Sequence, residues 1–301
     1  MLRFAVGLVD AARRFGEAGH PDDGELWTAP APAEGDGRRL PDWRTGRPAR
    51  CLPRDALIAW PLLPLRIGQP MPNHPPPALS RRIEGRIAYR AADGSELGRE
   101  HFDLSSHAGG HVMRALCVLD DVDLLRDVTL SMDADWRPLD GYCRLTRAGV
   151  NEATLWFRID DDGVRVDADL HGQRQPSQHV PTEARLAYLG LHPLQGDALI
   201  VARRGTDRPG EFVPIETVTN SISPNGDEAV GATRMQIDVA YVGMEEITVT
   251  AGRFAARRYA LRWRADWPAA DLWVREDDCL FLLMRWSMIP SWYELAAYTE
   301  A

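Results

Sequence analysis

The chain has 301 residues, and its 45% hydrophobic content is enough for one large core or two smaller ones. All 35 basic side chains are arginines, which excludes a Schiff base with pyridoxal phosphate, a phosphate-loop lysine and a kinase-type lysine. With 44 acidic side chains the net charge is -9, which argues against a nucleic-acid partner.

Residues 1–80 are predicted to form a proline-rich arm that wraps around the rest of the chain. Thirteen of the 22 prolines fall between Pro21 and Pro77, and such a density excludes regular helix or central strand over most of this segment. Residues 1–19 are expected to add a short helix.

Neither a signal peptide nor a membrane span is predicted. Asp10 interrupts the apolar stretch 4–9, so a signal peptide is not expected and the protein is expected to be cytoplasmic. No apolar run approaches the roughly 18 residues of a membrane span, so no membrane partner is expected.

Residues 81–301 are predicted to form a single β domain. From Ile83 onward apolar residues alternate with polar ones, and turn residues separate the runs, as in 93–94 and 160–163. The fold class is therefore mainly β, an antiparallel meander forming a curved sheet or barrel, since closure protects strand edges. Similar stretches at 134–144 and 265–275 leave open two readings, a duplication of two similar halves or a chance match.

This layout resembles lipocalin-like and lipoprotein-carrier-like β-sheet proteins of bacteria, many of them of unknown function. The stretch 249–254 and the late strand 280–286 carry the resemblance. It implies a long meander that curls around an apolar ligand cavity, and it supplies no catalytic residues.

The segment 170–197 holds the densest group of polar side chains that the strand pattern leaves uncommitted. Its candidates are His179, His192, Asp197, Tyr188 and Arg174. Three prolines make much of this segment a loop, and loops on a β scaffold often carry binding groups. Either histidine is the predicted general base, and Asp197 the carboxylate that orients it. The alternative is a solvated loop whose polar residues face water.

His111 follows a predicted turn at Gly109 and Gly110, and it begins a strand on which it is a candidate inward-facing base. His107 lies four residues earlier, and on a strand this spacing spans about 13 Å, too far for one metal ion. Together with Tyr188 and Arg174, His111 is a candidate donor to an oxygen on which charge develops.

Aromatic residues crowd the last forty positions of the chain. Trp263, Trp273 and Trp286 are candidate walls of a pocket for a flat substrate, with core packing as the ordinary alternative. The four cysteines form no C-x-x-C pair, and dinucleotide, zinc-protease and serine-hydrolase motifs are absent, so neither a metal nor an organic cofactor is expected.

Two functions remain open at the level of the sequence. The first is a cofactor-independent lyase or isomerase that acts on a small hydrophobic or aromatic molecule by histidine-based acid-base catalysis. The second is a non-catalytic carrier or sensor of such a molecule. Inward-facing His, Asp and Tyr side chains would favour the enzyme, and a wholly apolar pocket would favour the carrier. The oligomeric state is open, and a homodimer is one of its alternatives.

Overall fold

A computed structural model of the chain describes residues 79–301 except Val230 and Asp277. The predicted arm over residues 1–80, with its short helix, lies outside the described residues apart from its last two positions, where the first strand begins. Every candidate site residue named above lies within the described part of the chain.

The described residues form sixteen strands and two short helices, which are joined by turns and loops. The strands are β1 (Leu79–Ala91), β2 (Glu96–His107), β3 (Gly110–Leu119), β4 (Leu124–Asp133), β5 (Pro138–Arg147), β6 (Val150–Asp160), β7 (Gly163–Leu170), β8 (Gln173–Arg174), β9 (Gln178–Pro181), β10 (Tyr188–Gly190), β11 (Val213–Thr219), β12 (Thr233–Val249), β13 (Gly252–Arg262), β14 (Ala270–Arg275), β15 (Phe281–Arg285) and β16 (Ser291–Glu300). The helices are α1 (Leu194–Ala198) and α2 (Val201–Arg204). The alternation of apolar and polar residues after residue 80 therefore forms strands, as predicted.

All the strands belong to one sheet with the order β10-β11-β12-β13-β14-β15-β16-β1-β2-β3-β4-β5-β6-β7-β8, and β9 pairs with β7. Only β10 and β11 are parallel neighbours among these strands. The sheet curves so strongly that β10 at one end packs against β5, and its path still ends at β10 and β8 without closing into a barrel. The predicted mainly β fold is confirmed in its curved-sheet form.

In most strands alternate side chains face the inside of the curve and form one hydrophobic core, whereas β14 and β15 are buried at successive positions. In β4, Leu124 and Val128 are buried, whereas Leu125 and Asp127 between them are exposed. Arg126 occupies the buried position between Leu124 and Val128, where the pattern calls for an apolar residue. A charged group at such a position needs a polar partner inside the core.

The side chain of Arg204, at the end of α2, is fully buried and joins the helix to the sheet. Its Nε donates to the carbonyl of Val239 in β12 at 2.9 Å. The terminal nitrogens donate to the carbonyls of Asp207, Arg208 and Glu211 at 2.8 to 3.0 Å. One guanidinium thus satisfies one backbone acceptor in β12 and three in the connection between α2 and β11.

Substitution of this side chain should destabilise the fold. Arg204→Met removes the buried guanidinium and leaves these four carbonyls without their side-chain donor, and we expect it to lower the free energy of unfolding by about 3 kcal/mol or more. The matched control is Arg208→Met, because the Arg208 side chain is exposed and pairs only with Asp207 and Glu211 at the surface. We expect the control to change the free energy by less than about 1 kcal/mol. Urea titration measures both, and equal losses would contradict this role of Arg204.

Candidate functional site

The segment from Leu186 to Arg204 runs through the inside of the curved sheet. Leu189 packs directly over Gly141 of β5, where a Cβ atom would lie 2.6 Å from the leucine side chain. Further along the same segment, Gly196 of α1 lies against the side chain of Met113 in β3. The segment therefore occupies space that the lipocalin-like resemblance assigned to a ligand, and it brings its own polar groups into the core.

Glu100 in β2 is fully buried and binds the start of α1. Its carboxyl group accepts hydrogen bonds from the backbone N–H groups of Leu194 at 2.6 Å and Gln195 at 3.0 Å. Tyr89 donates to the same carboxyl group at 3.3 Å. Burial raises the pKa of Glu100 to about 7, although these hydrogen bonds oppose the shift. The group is thus divided between its protonated and ionised forms near neutral pH.

Asp197 of α1 lies beside Tyr188, which donates a hydrogen bond to its Oδ1 at 3.0 Å. Burial raises the pKa of Asp197 to about 7, and the nearby charge of Glu100 acts in the same direction. Burial also raises the pKa of Tyr188 well above its usual value. A carboxyl group with a pKa near 7 can both accept and donate a proton under physiological conditions.

Arg126 of β4 is 2% exposed, and its charge acts to lower the pKa of both carboxyl groups, against the effect of burial. One terminal nitrogen donates to the carbonyl of His192 at 3.2 Å, and the other donates to the carbonyl of Gly226. Its Nε is buried and has no hydrogen-bond partner among the residues that the structure describes. The guanidinium is therefore held by neutral backbone groups and keeps one donor available.

His192 packs between Arg126 and the loop that carries Gly226. Its ring hydrogen-bonds through Nε2 to the hydroxyl of Thr219 at 3.1 Å. Burial and the charge of Arg126 lower the pKa of His192 to about 3, so the imidazole is neutral at physiological pH. Gly226 has φ 59, and a Cβ atom there would lie 2.5 Å from the His192 ring, so only glycine allows this approach. Asp197 hydrogen-bonds to Tyr188 instead of orienting His192, which differs from the predicted Asp–His arrangement.

The structure does not bring His179 into the interior cluster, which consists of Glu100, Arg126, Tyr188, His192 and Asp197. His179 lies in β9 with its side chain 45% exposed, and its Nε2 is 3.9 Å from Asp162 Oδ1. It borders a surface recess of about 280 Å³ lined by Arg158, Arg165, Ser177, Gln178 and His179. Arg174 is also exposed and lies 3.7 Å from Asp167. These two predicted groups stand on the outer side of the sheet edge, where solvent screens their charges.

His111, the candidate inward-facing base, lies on the inner face of β3 at the end that is close to the β2–β3 turn. Its Nδ1 is 2.9 Å from the hydroxyl of Ser106 in β2. The ring stacks on Trp136 with centroids 3.6 Å apart. The structure thus pairs His111 with a serine and an aromatic ring.

The three tryptophans that were predicted as pocket walls lie in two separate parts of the structure. Trp263 and Trp286 contact each other with centroids 5.1 Å apart, and Trp286 donates to the carbonyl of Pro268 at 2.7 Å. Trp273 lies on the opposite face of β14 from the core residue Leu272, and its indole N–H donates to Glu245. The aromatic residues therefore do not form one common wall.

Sequence reasoning missed Glu100 and Arg126, the two charged residues at the centre of the cluster. A signal exists in the strand pattern, because each charge replaces an apolar residue at an inward position. Glu100 is two residues from the buried Phe102 in β2, and Arg126 stands between two buried residues of β4. Charged residues at inward strand positions are the positions to examine first in such a sequence.

Two further kinds of site are not found among residues 79–229, 231–276 and 278–301. These residues contain no group of three or more His, Cys, Asp and Glu side chains that could hold a metal ion. Within the same ranges, no helix is long and apolar enough to cross a membrane.

No family model and no curated protein matches this sequence. A solved structure that is similar to it is a β-barrel-like protein of the domain of unknown function DUF1849 from Brucella abortus, with 11% identity over 74% of this chain and 98% of that chain and a TM-score of 0.46. Another is a putative exported protein with a YmcC-like fold from Bacteroides fragilis, with 11% identity over 74% of this chain and 97% of that chain and a TM-score of 0.27. We base the β-barrel-like architecture of this chain on its own strand order and curvature.

The buried carboxyl groups predict a specific dependence of stability on pH. The pKa of Asp197 rises from 3.8 to about 7 on folding, so the folded state holds a proton that the unfolded state releases. Stability is therefore highest below about pH 4 with respect to this group, and it falls as pH rises to about 7, by up to about 1.4 kcal/mol per pH unit. Asp197→Asn should remove this slope, while Glu100 keeps its own contribution.

Urea titrations at intervals between pH 4 and pH 8 measure this slope. Asp161→Asn is the matched control, because Asp161 lies in the exposed turn between β6 and β7. An unchanged slope in Asp197→Asn would show that Asp197 does not gain a proton on folding.

Proposed function

We propose that the protein binds a small hydrophobic or aromatic molecule that carries an anionic oxygen group, with Arg126 as the residue that contacts this group. The supporting observation is the buried Nε of Arg126, which has no hydrogen-bond partner within the described part of the chain. Buried polar groups in proteins are almost always paired, and an unpaired charged donor costs free energy until a partner arrives. A carboxylate or sulfonate oxygen is a suitable acceptor.

The charge balance around Arg126 supports the same ligand class. Within the described part of the chain, no carboxylate lies within the 4.0 Å of a salt bridge to Arg126. Glu100 already binds the backbone of α1, and Asp197 already binds Tyr188. Burial raises the pKa of both carboxyl groups to about 7, so they compensate the arginine charge only in part. An anionic ligand would supply the missing charge.

The apolar part of the ligand would pack beside Arg126, on the apolar side chains that the loop from 220 to 229 covers, because the segment from Leu186 to Arg204 fills the rest of the inner face. The loop from 220 to 229 covers this end of the cluster, and it is held through its backbone. Arg126 binds the carbonyl of Gly226, and Arg147 donates to the carbonyl of Asp227 at 2.8 Å. An anionic oxygen could replace the Gly226 carbonyl on Arg126, and displacement of this loop is the entry route that we propose.

Two probes with the same number of carbon atoms, one with an anionic carboxylate and one with a neutral hydroxyl group, test the proposal. Calorimetric titration of the purified full-length chain should show binding of dodecanoate about tenfold or more tighter than binding of dodecanol, because only the carboxylate pairs with Arg126. Arg126→Met should remove this difference. Arg144→Met on the exposed outer face of β5 is the matched control and should keep it. Equal affinities of the unmodified protein for the two probes, or no binding of either, would contradict the proposal.

A specific observation favours acid-base catalysis as a second candidate function. Asp197 and Tyr188 form a hydrogen-bonded pair inside the same core as Arg126. In a lyase or isomerase reaction, the Asp197 carboxylate would remove a proton from the substrate, and Arg126 would stabilise the oxygen on which negative charge develops. His192 is neutral, so we assign it the role of a hydrogen-bonding neighbour of this site instead of the base.

The ring opening of 5-nitrobenzisoxazole tests for a general base in an apolar site, because this small aromatic compound needs only proton removal. We expect the unmodified protein to accelerate the reaction about 100-fold or more over Asp197→Asn. Asp161→Asn should retain the activity of the unmodified protein. Equal rates for the protein and Asp197→Asn, measured by absorbance, would leave binding as the better-supported function.

A further inference from the structure

A second polar group lies at the end of the inner face formed by the β2–β3 hairpin. Ser106 and His111 are directly opposite each other in the register of β2 and β3. The serine hydroxyl and His111 Nδ1 are 2.9 Å apart, which is the hydrogen-bond distance required between a nucleophile and its base. Glu100 lies six residues from Ser106 on the same strand, so the interior cluster is about 20 Å away.

The imidazole ring of His111 is fixed in position. It stacks on Trp136 with an interplanar angle of 8° and centroids 3.6 Å apart. Trp136 reaches this position from the β4–β5 turn, where its φ is 62. A hydrogen bond to the backbone of Ala134 also holds the ring. Such contacts on the face and edge of the imidazole keep Nδ1 directed at the serine, as a third group does in a catalytic triad.

The surroundings of the pair suit a small apolar substrate. Met132 is the cross-strand neighbour of His111 on β4, and Leu104 precedes Ser106 on the same face of β2.

The acid-base state of His111 agrees with the role of a base. Burial lowers the pKa of His111, while the Ala134 backbone and the charge of Asp133 oppose this shift. A histidine whose pKa lies below its usual value is mostly neutral at pH 7 and has a free lone pair.

We propose that Ser106 and His111 form a nucleophile-base pair that hydrolyses small hydrophobic carboxylic esters. This activity is separate from the binding site around Arg126. The chain lacks the G-x-S-x-G motif of common serine hydrolases, so the pair is recognised here by its geometry and not by a sequence motif.

The reaction proceeds in two balanced steps. Ser106 Oγ attacks the ester carbonyl carbon as His111 Nδ1 takes the hydroxyl proton, and the C=O electron pair moves to the oxygen. Collapse of this intermediate breaks the bond to the alcohol, which leaves with the proton from His111. Water then attacks the acyl group on Ser106, and His111 takes a proton from this water. The second collapse releases the carboxylic acid, and the proton returns to Ser106.

Covalent labelling separates this activity from a structural role of the pair. A serine and a histidine that only connect two strands would affect stability without making the hydroxyl reactive. We expect an alkyl fluorophosphonate to add once to the purified full-length chain, with fluoride as the leaving group, and peptide mapping to place the adduct on Ser106. We also expect hydrolysis of 4-nitrophenyl butyrate to fall about 100-fold or more in Ser106→Ala.

The neighbouring serine provides the matched control. Ser105 points to the opposite face and donates to Asp103 at 2.7 Å, so Ser105→Ala should keep both labelling and hydrolysis. His111→Phe retains a ring that can stack on Trp136 but has no base, and it should lose both. If His111→Phe does not fold, Ser106→Ala removes a single oxygen and still decides the question. No adduct on the unmodified protein, an adduct on another residue, or undiminished hydrolysis by Ser106→Ala would overturn the proposal.

Discussion

The interior of this protein depends on the hydrogen bonds between the carboxyl group of Glu100 and the first N–H groups of α1. A five-residue helix has few hydrogen bonds of its own, and both of its ends would be costly to bury without partners. Glu100 provides acceptors for Leu194 and Gln195. At the other side of the same helix turn, the Gln195 side chain binds the backbone of Cys279 and Phe281. These contacts hold the segment inside the sheet.

This arrangement has an electrostatic consequence for the whole core. A carboxyl group that is buried to support a helix is costly to ionise, and Asp197 beside it is subject to the same constraint. Arg126 is the opposite case, because a guanidinium remains charged wherever it is buried. The interior therefore combines a permanent positive charge with two carboxyl groups that exchange protons near neutral pH. This combination is the basis on which we propose a binding site for an anion and, as a second candidate, a site for proton transfer.

The inner face has two chemically different ends. Around Arg126 the polar groups come from the segment between Leu186 and Arg204 and from the loop that includes Gly226. Around His111 they come from neighbouring strands and from the β4–β5 turn. The curvature of one sheet brings both groups to the same concave surface, and the length of its strands keeps them apart. The two proposed activities therefore need no common residue.

The sequence by itself determined the strands, because a period of two in apolar residues is a local property of each segment. It also made His111 a candidate inward-facing base, because this residue begins a strand after the turn at Gly109 and Gly110. Only the tertiary structure decided that the segment after Leu186 enters the core, where Tyr188 meets Asp197 and His192 meets Thr219. The same holds for the exposure of His179. These pairings join residues from distant strands and loops, and their energies depend on the burial that the whole sheet creates.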